Sequence, residues 1–236
     1  GGPNYAGFKE KMFATKDGRV SVIRLDGSEF HDVFRDTHWL SHFQFSPDNP
    51  DIAMFCHEGP WNYVQQRIWM INMNTGDIWP CFRQTEDDCV GHEFWAQNGD
   101  VIFDNRRGGH DGTISNSKSQ VYASEHVSAE IPYFGFAHKD GKVYRKINMP
   151  FYCNHYFANG DLSMFAGDAV DDILLIQPAE DGTAKMKILA HHNTTWHYQR
   201  SHCHPTFSWD GKKLLYAVDT DEWHDNLFLV DVPESI

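Results

Sequence analysis

Residues 196–204, Trp-His-Tyr-Gln-Arg-Ser-His-Cys-His, form the densest run of donor side chains in the chain. His202 and His204 stand two apart. An extended backbone therefore projects both imidazoles from one face, a spacing that suits two ligands of one metal ion. Gln199 lies one short turn upstream, within reach of the same ion. His155 occupies the corresponding place in an earlier repeat and adds a third imidazole. Three imidazoles with one amide oxygen make a mixed N/O shell that fits Mn2+, Zn2+, Fe2+ or Ni2+. Soft Cu(I) is disfavoured because no thiolate joins in. A single histidine at a strand end is ordinarily satisfied by backbone; the pair with an aligned third histidine favours metal.

A second constellation runs Cys56-His57-Glu58-Gly59-Pro60-Trp61 and on to Arg67, followed by Gly91-His92-Glu93-Phe94-Trp95. His92 has the same place in its repeat as His155 and His204, but no histidine two residues away. A channel histidine left off the metal is a candidate general base, because imidazole titrates near neutral pH. Arg67 opens the apolar run RIWMI and offers a planar fork for a carboxylate, its plainer use being an ion pair between blades. Glu58 and Glu93 are as suited to orienting these histidines as to reacting. Trp61, Trp95 and Trp196 can stack on a sugar or pack a core.

These side chains need elements that bring them together, and a repeat supplies them. Four phrases follow one pattern: HFQFSPDNPDIAMF from His42, HEFWAQNGDVIF from His92, HYFANGDLSMF from His155 and HPTFSWDGKKLLY from His204. Each has an aromatic two or three residues after the histidine, a polar turn, and a short apolar strand. Phe45, Trp95, Phe157 and Phe207 are spaced by 50, 62 and 50 residues. Repeats of this length built from strands and turns predict an all-β propeller of four-stranded blades. Equivalent positions then sit at equivalent radii, so the histidines converge on one end of a central channel. Blades are expected at about 40–83, 90–150, 153–190 and 202–233. A partial blade over 8–35 reads as a hairpin of KMFATKD and RVSVIRLDG. The whole chain reads as one propeller domain or the C-terminal portion of one. The stretch RRGGHDGTISNSKSQ reads as a long exposed loop.

The bulk numbers agree. At 236 residues, 41% hydrophobic and 22% charged, the chain can bury a core. A net charge of −13 argues against nucleic acid or an anionic membrane as partner, and no apolar run is long enough for a membrane span. Five cysteines without a CxxC pair read as reduced core thiols, and so favour a cytoplasmic location.

CHEGPW with Arg67, then HEFW, CNH, the Trp196–Gln199–His202–His204 run and the closing LFLVDVPES resemble the oligogalacturonate lyases, seven-bladed β-propeller polysaccharide lyases. The resemblance runs from about residue 38 to the C-terminus and corresponds to the later blades of that fold. It implies Mn2+ held by His155, Gln199, His202 and His204, with His92 as base. Arg67 would bind the substrate carboxylate; His57 and Trp196 are taken, apart from the resemblance, as further candidate substrate contacts. The implied activity is metal-dependent β-elimination of short oligogalacturonates from pectin, giving a 4,5-unsaturated uronate. A propeller lyase for another uronate glycan, a non-enzymatic TolB-like propeller and a hydrolase using metal-activated water are the other readings.

Overall fold

The computed structural model describes residues 7–61, 63–106, 132–150, 152–197, 199–221 and 223–236. Its strands form five antiparallel sheets in sequence, a two-stranded one and then four larger ones, each a hydrogen-bonded meander of neighbours, in a propeller arrangement. The first full sheet holds β3 (Leu40–Phe45), β4 (Ile52–His57), β5 (Ile68–Asn72) and β6 (Ile78–Pro80). The second holds β7 (Val90–Trp95), β8 (Val101–Asn105), β9 (Tyr133–Ala137) and β10 (Val143–Asn148). The third holds β11 (Tyr156–Ala158), β12 (Phe165–Asp168), β13 (Asp172–Pro178) and β14 (Ala184–His191).

The fourth sheet departs from the expected four strands. Among the described residues it has three: β15 (Thr206–Phe207), β16 (Lys213–Asp219) and β17 (Asp225–Asp231). The N-terminal segment departs as well. Two strands pair over the expected partial blade, β1 (Gly18–Ile23) and β2 (Phe30–Asp36), but Phe8–Ala14 is a helix, α1, rather than a strand. Its run FKEKMFA is rich in helix formers. Phe8 and Phe13 anchor it edge-on against Trp39 and Tyr63, at centroid distances of 5.2 and 5.5 Å. The Gly/Ser-rich stretch expected to be an exposed loop lies, from residue 107 on, outside the described residues.

The core lies between successive sheets, one cluster per interface. Val20, Ala53, Phe55 and Ile71 join the two-stranded sheet to the first full one. Met54, Met70, Cys81, Val90, Val101 and Phe103 fill the next interface. Ile102, Phe134, Phe136, Phe165 and Leu174 fill the one after, and Ala166, Leu175, Phe207, Leu214 and Tyr216 the last. Middle strands are covered on both faces, so β8 is buried at all five positions. The outer strand β10 instead alternates between exposed and covered residues, as an edge strand facing water on one side should. Gly135 in β9 is required by this packing, since a Cβ there would lie 2.6 Å from the Phe103 ring. All five cysteines are buried and free. Among the described residues no helix is long and apolar enough to cross a membrane.

Candidate metal centre and the histidines around it

Three of the four histidines that open the repeats owe their placement to a backbone device. His42, His92 and His204 all have left-handed backbone, with φ of 52°, 47° and 46°. In the first sheet Ser41 pairs Cys56 while Gln44 pairs Met54, so an extra residue is inserted at 42–43. The second sheet repeats this between Gly91 and Phe94. In the fourth, Ala217 donates to the Cys203 carbonyl while Thr206 sits opposite Leu215, which again sets three residues against two. A bulge of this kind re-aims a side chain out of the pleat, and a non-glycine residue held at positive φ is a strain worth a functional explanation.

His155, His202 and His204 come together with ligand nitrogens all within 4.8 Å of one another. The His155 ring is 3.7 Å from that of His204 and 5.4 Å from that of His202. Burial favours the neutral imidazoles, pulling His155 down to about 3 and His202 and His204 each to about 4. Asp168 organises the group. One oxygen accepts the His155 backbone N–H at 2.5 Å; the other lies 2.7 Å from His155 Nδ1 and 3.3 Å from the His204 backbone N–H. With Nδ1 bound to Asp168, Nε2 of His155 is left as the donor. Neutral, converging imidazoles backed by a carboxylate fit a divalent transition ion. The Gln199 backbone lies in a 3-10 turn, Gln199–Ser201, beside this group; its side chain lies outside the described residues.

His92 sits against the group, its ring 4.4 Å from that of His155. Two partners compete for its Nδ1. Arg106 Nη2, at 2.9 Å, can only donate to a bare nitrogen, whereas Asp104 Oδ1, at 3.3 Å, can only accept from a protonated one. Burial raises Asp104 to about 6. Both its oxygens are buried without an aligned hydrogen bond among protein groups. Gly91 makes room here: a Cβ would sit 3.2 Å from Asp104 Oδ1 and 3.3 Å from Arg106 Nη2.

Arg67 is not open to a ligand on every side. Its Nε donates to Glu93 at 2.9 Å and its Nη1 to Glu58 at 3.0 Å, while Nη2 faces His42 Nδ1 at 3.4 Å. The fork therefore grips two carboxylates of its own chain, one of them across the blade interface. Burial works against ionised Glu93, but Arg67 and His42 outweigh it and hold the carboxyl at about 2.

His57 stands apart, its Nε2 3.1 Å from Asp36 and its ring stacked 4.1 Å from His38. Trp196 is buried, not presented: its indole N–H donates to the Val170 carbonyl at 2.9 Å and its ring packs 5.5 Å from His202. It supports a ligand from behind. Two further groups, Asp36–His38–His57 and His42–Cys56–Glu93, also bring donor atoms close. In the second, the Arg67 guanidinium already occupies Glu93. In the first, both carboxylate oxygens of Asp36 are already met by the two rings.

Asp104, Arg106 and Asp168 are absent from the residues singled out by spacing, and His42 is marked there as a repeat opener without a chemical role. A signal for the aspartates exists, since VIFD, FAGD and YAVD put an aspartate at or next to the end of the second strand of three successive repeats, at Asp104, Asp168 and Asp219. Asp219 uses the position structurally, accepting the Thr195 backbone N–H at 2.7 Å and the Thr194 hydroxyl at 2.9 Å.

Antiparallel sheets in a propeller arrangement, with a three-imidazole cluster from neighbouring sheets in which His155 and His202 are buried and His204 is exposed, define a β-propeller with a candidate transition-metal centre. A family model described as oligogalacturonate lyase matches residues 3–236, and the chain belongs to that family. Among its relatives, the oligogalacturonide lyase of Pectobacterium atrosepticum is 25% identical over 250 residues, covering 97% of this chain and 59% of that protein. The oligogalacturonate lyase of Dickeya dadantii is 26% identical over 251 residues, with coverage of 97% and 59%. The chain thus spans about three fifths of the length of these relatives. An oligogalacturonate lyase in complex with manganese shares the fold at a TM-score of 0.77 and 22% identity, over 98% of this chain and 58% of that one. The oligogalacturonate lyase of Vibrio parahaemolyticus gives 0.78 and 21%, over 98% and 59%. TolB from Acinetobacter baumannii is more distant, at 0.55 and 12%, over 92% and 47%.

Proposed function

We propose that the chain carries the reacting half of a metal-dependent lyase that cleaves short oligogalacturonates by β-elimination. The observation that supports this most is the contact between His92 and the His155–His202–His204 group. It sets an imidazole free of metal duty beside a donor set suited to a divalent ion. His155, His202 and His204, with Gln199, would hold that ion, Mn2+ on this reading. When bound, the ion supplies Lewis-acid neutralisation of the uronate carboxylate, which acidifies the α proton on C5.

The chain's own residues do the rest. His92 takes the C5 proton on Nε2, which requires Nδ1–H directed at Asp104. The imidazolium formed then faces the buried Asp104 carboxylate, whose other oxygen lies 3.3 Å from Arg106 Nε, and its charge is met where it appears. Asp104 and Arg106 thus select between two tautomers of His92. Arg67 adds positive charge from a fixed position, held by Glu58 and Glu93 while Nη2 remains directed at His42. His57 belongs to a separate group with Asp36 and His38, at the edge toward the two-stranded sheet. Short oligomers as substrate fit a cytoplasmic enzyme working after import.

Product mass provides the test. Elimination splits trigalacturonate into fragments whose masses sum to that of the substrate. A hydrolase would add one water, and a binding propeller would leave the oligomer intact. A panel of uronate oligomers of other linkages tests the substrate class in the same assay.

A further inference from the structure

Three of the four histidines that open the repeats have a use as ligand or base; His42 does not. Its backbone carries the same bulge and left-handed φ as His92, 52° against 47°, in the neighbouring blade. The two inner strands touch directly: Gln44 donates to the Glu93 carbonyl, and the Trp95 indole donates to the Gln44 carbonyl, each at 3.1 Å. His42 Nδ1 is 3.2 Å from Glu93 Oε1 and Nε2 is 3.3 Å from Glu58 Oε2. The His42 side chain is 44% exposed, yet those of Glu58 and Glu93 are only 10% and 0% exposed.

Charge fixes what this ring must be. Two buried carboxylates, Glu58 and Glu93, face one guanidinium, Arg67, which leaves one negative charge uncompensated; a protonated His42 closes the sum. The other groups facing the ring add no charge. Burial pushes the Cys56 thiol well up, so it stays neutral. Ser41 gives its hydroxyl to Glu58. Glu93 raises the His42 pKa above that of an ordinary imidazole, against burial and Arg67, which oppose it. The strained, half-exposed position is therefore occupied by an imidazolium, and neither metal binding nor proton abstraction calls for one.

Elimination does call for one. In a galacturonate ring, C5–H and the C4 oxygen lie on opposite faces, so the base cannot also serve the leaving group. We propose that His42 is the general acid that protonates the departing C4 oxygen; this rests on the lyase reading above and completes it. His92 takes the C5 proton, the C–H pair becomes the C4=C5 double bond, and the C4–O pair leaves on oxygen. That oxygen receives the proton from His42 Nε2, released from Glu58. His92 then loses one proton to solvent and His42 regains one, so the cycle balances. The unchanged Glu58–Arg67–Glu93 clamp, left with a net negative charge, draws the proton back.

The test uses the metal-loaded chain and two substrates: trigalacturonate, and a galacturonide carrying 4-nitrophenoxide at C4, which leaves without needing a proton. With His42→Gln and His42→Ala, turnover of trigalacturonate should fall on the order of 10²- to 10³-fold, while the nitrophenoxide substrate changes by less than about threefold. His42→Gln should also lose the alkaline limb of the kcat profile. His92→Ala, the control, should lose both substrates together. Equal losses on both substrates in the His42 variants, or no loss on either, would overturn the assignment. Wild type that forms no unsaturated product would instead overturn the lyase reading itself.

Discussion

At the scale of single residues, the proposed chemistry turns on which proton a histidine carries. His92 Nδ1 is contested by a donor, Arg106 at 2.9 Å, and an acceptor, Asp104 at 3.3 Å. Only the Asp104 arrangement leaves Nε2 free to take a proton. Asp104→Asn, similar in shape but no longer an anion, should lower kcat on the order of 10²-fold with the metal content unchanged. Turnover measured beside elemental analysis checks this. Asp168 performs the comparable service for His155, and Asp168→Asn should weaken metal affinity about 10- to 100-fold by titration calorimetry. In the proposed mechanism these carboxylates act through the histidines they touch rather than on substrate. They were harder to find because each lies thirteen or so residues from its histidine in sequence and meets it only through strand pairing, as Asp168 meets His155.

At the scale of elements, the inner-strand bulges explain both what the sequence revealed and what it hid. The histidine–aromatic–turn–strand phrase exposes the repeat because every blade needs the same apolar strand at the same depth. The bulge itself leaves little trace. His42, His92 and His204 are ordinary residues in an unusual conformation, and none of the three left-handed positions is a glycine. Arg67 shows the same limit. Its spacing suggests a fork for a carboxylate, and the structure fills that fork with Glu58 and Glu93. Helix α1 escaped the strand expectation because two aromatic contacts outside the segment hold it. The buried network carries a stability signature. Glu93 is depressed from 4.5 to about 2. Its contribution is therefore complete above pH 4.5 and drains away as pH falls toward 2. His42 is raised, so its contribution is complete below its ordinary 6.5 and is lost as pH climbs through the raised value. Glu93→Gln should destabilise the chain by about 3 kcal/mol near neutrality, since it leaves Arg67 half-paired in a buried site. It should also flatten the acid dependence. Urea denaturation from pH 3 to 7 reads both effects.

At the scale of the molecule, the proposed centre would be a fastener as well as a site. Its candidate ligands come from the start of the third sheet and from the segment leading into the fourth, so an ion bound there would tie the two together. Binding only the folded chain adds stability by mass action, about 3 kcal/mol at a hundredfold excess over Kd. Chelation should therefore lower the melting temperature by several degrees, and His202→Ala should melt at the chelated value with or without metal. All five thiols are buried, so a thiol reagent should label them only as the chain unfolds, together rather than one by one. Sheet order and the depth of each repeat were legible because face-to-face packing imposes the same apolar phrase on every interface. The three-stranded last sheet was not, because β17 is largely exposed and its pattern reads like that of any outer strand.

The most direct measurement is near-ultraviolet absorbance of the purified chain with trigalacturonate, followed with Mn2+ and again after chelation. A metal-dependent lyase gives a rise with metal, as the unsaturated uronate forms, and none without it. An unchanged rise in chelator, or a flat trace while metal remains bound at His155, His202 and His204, would contradict it.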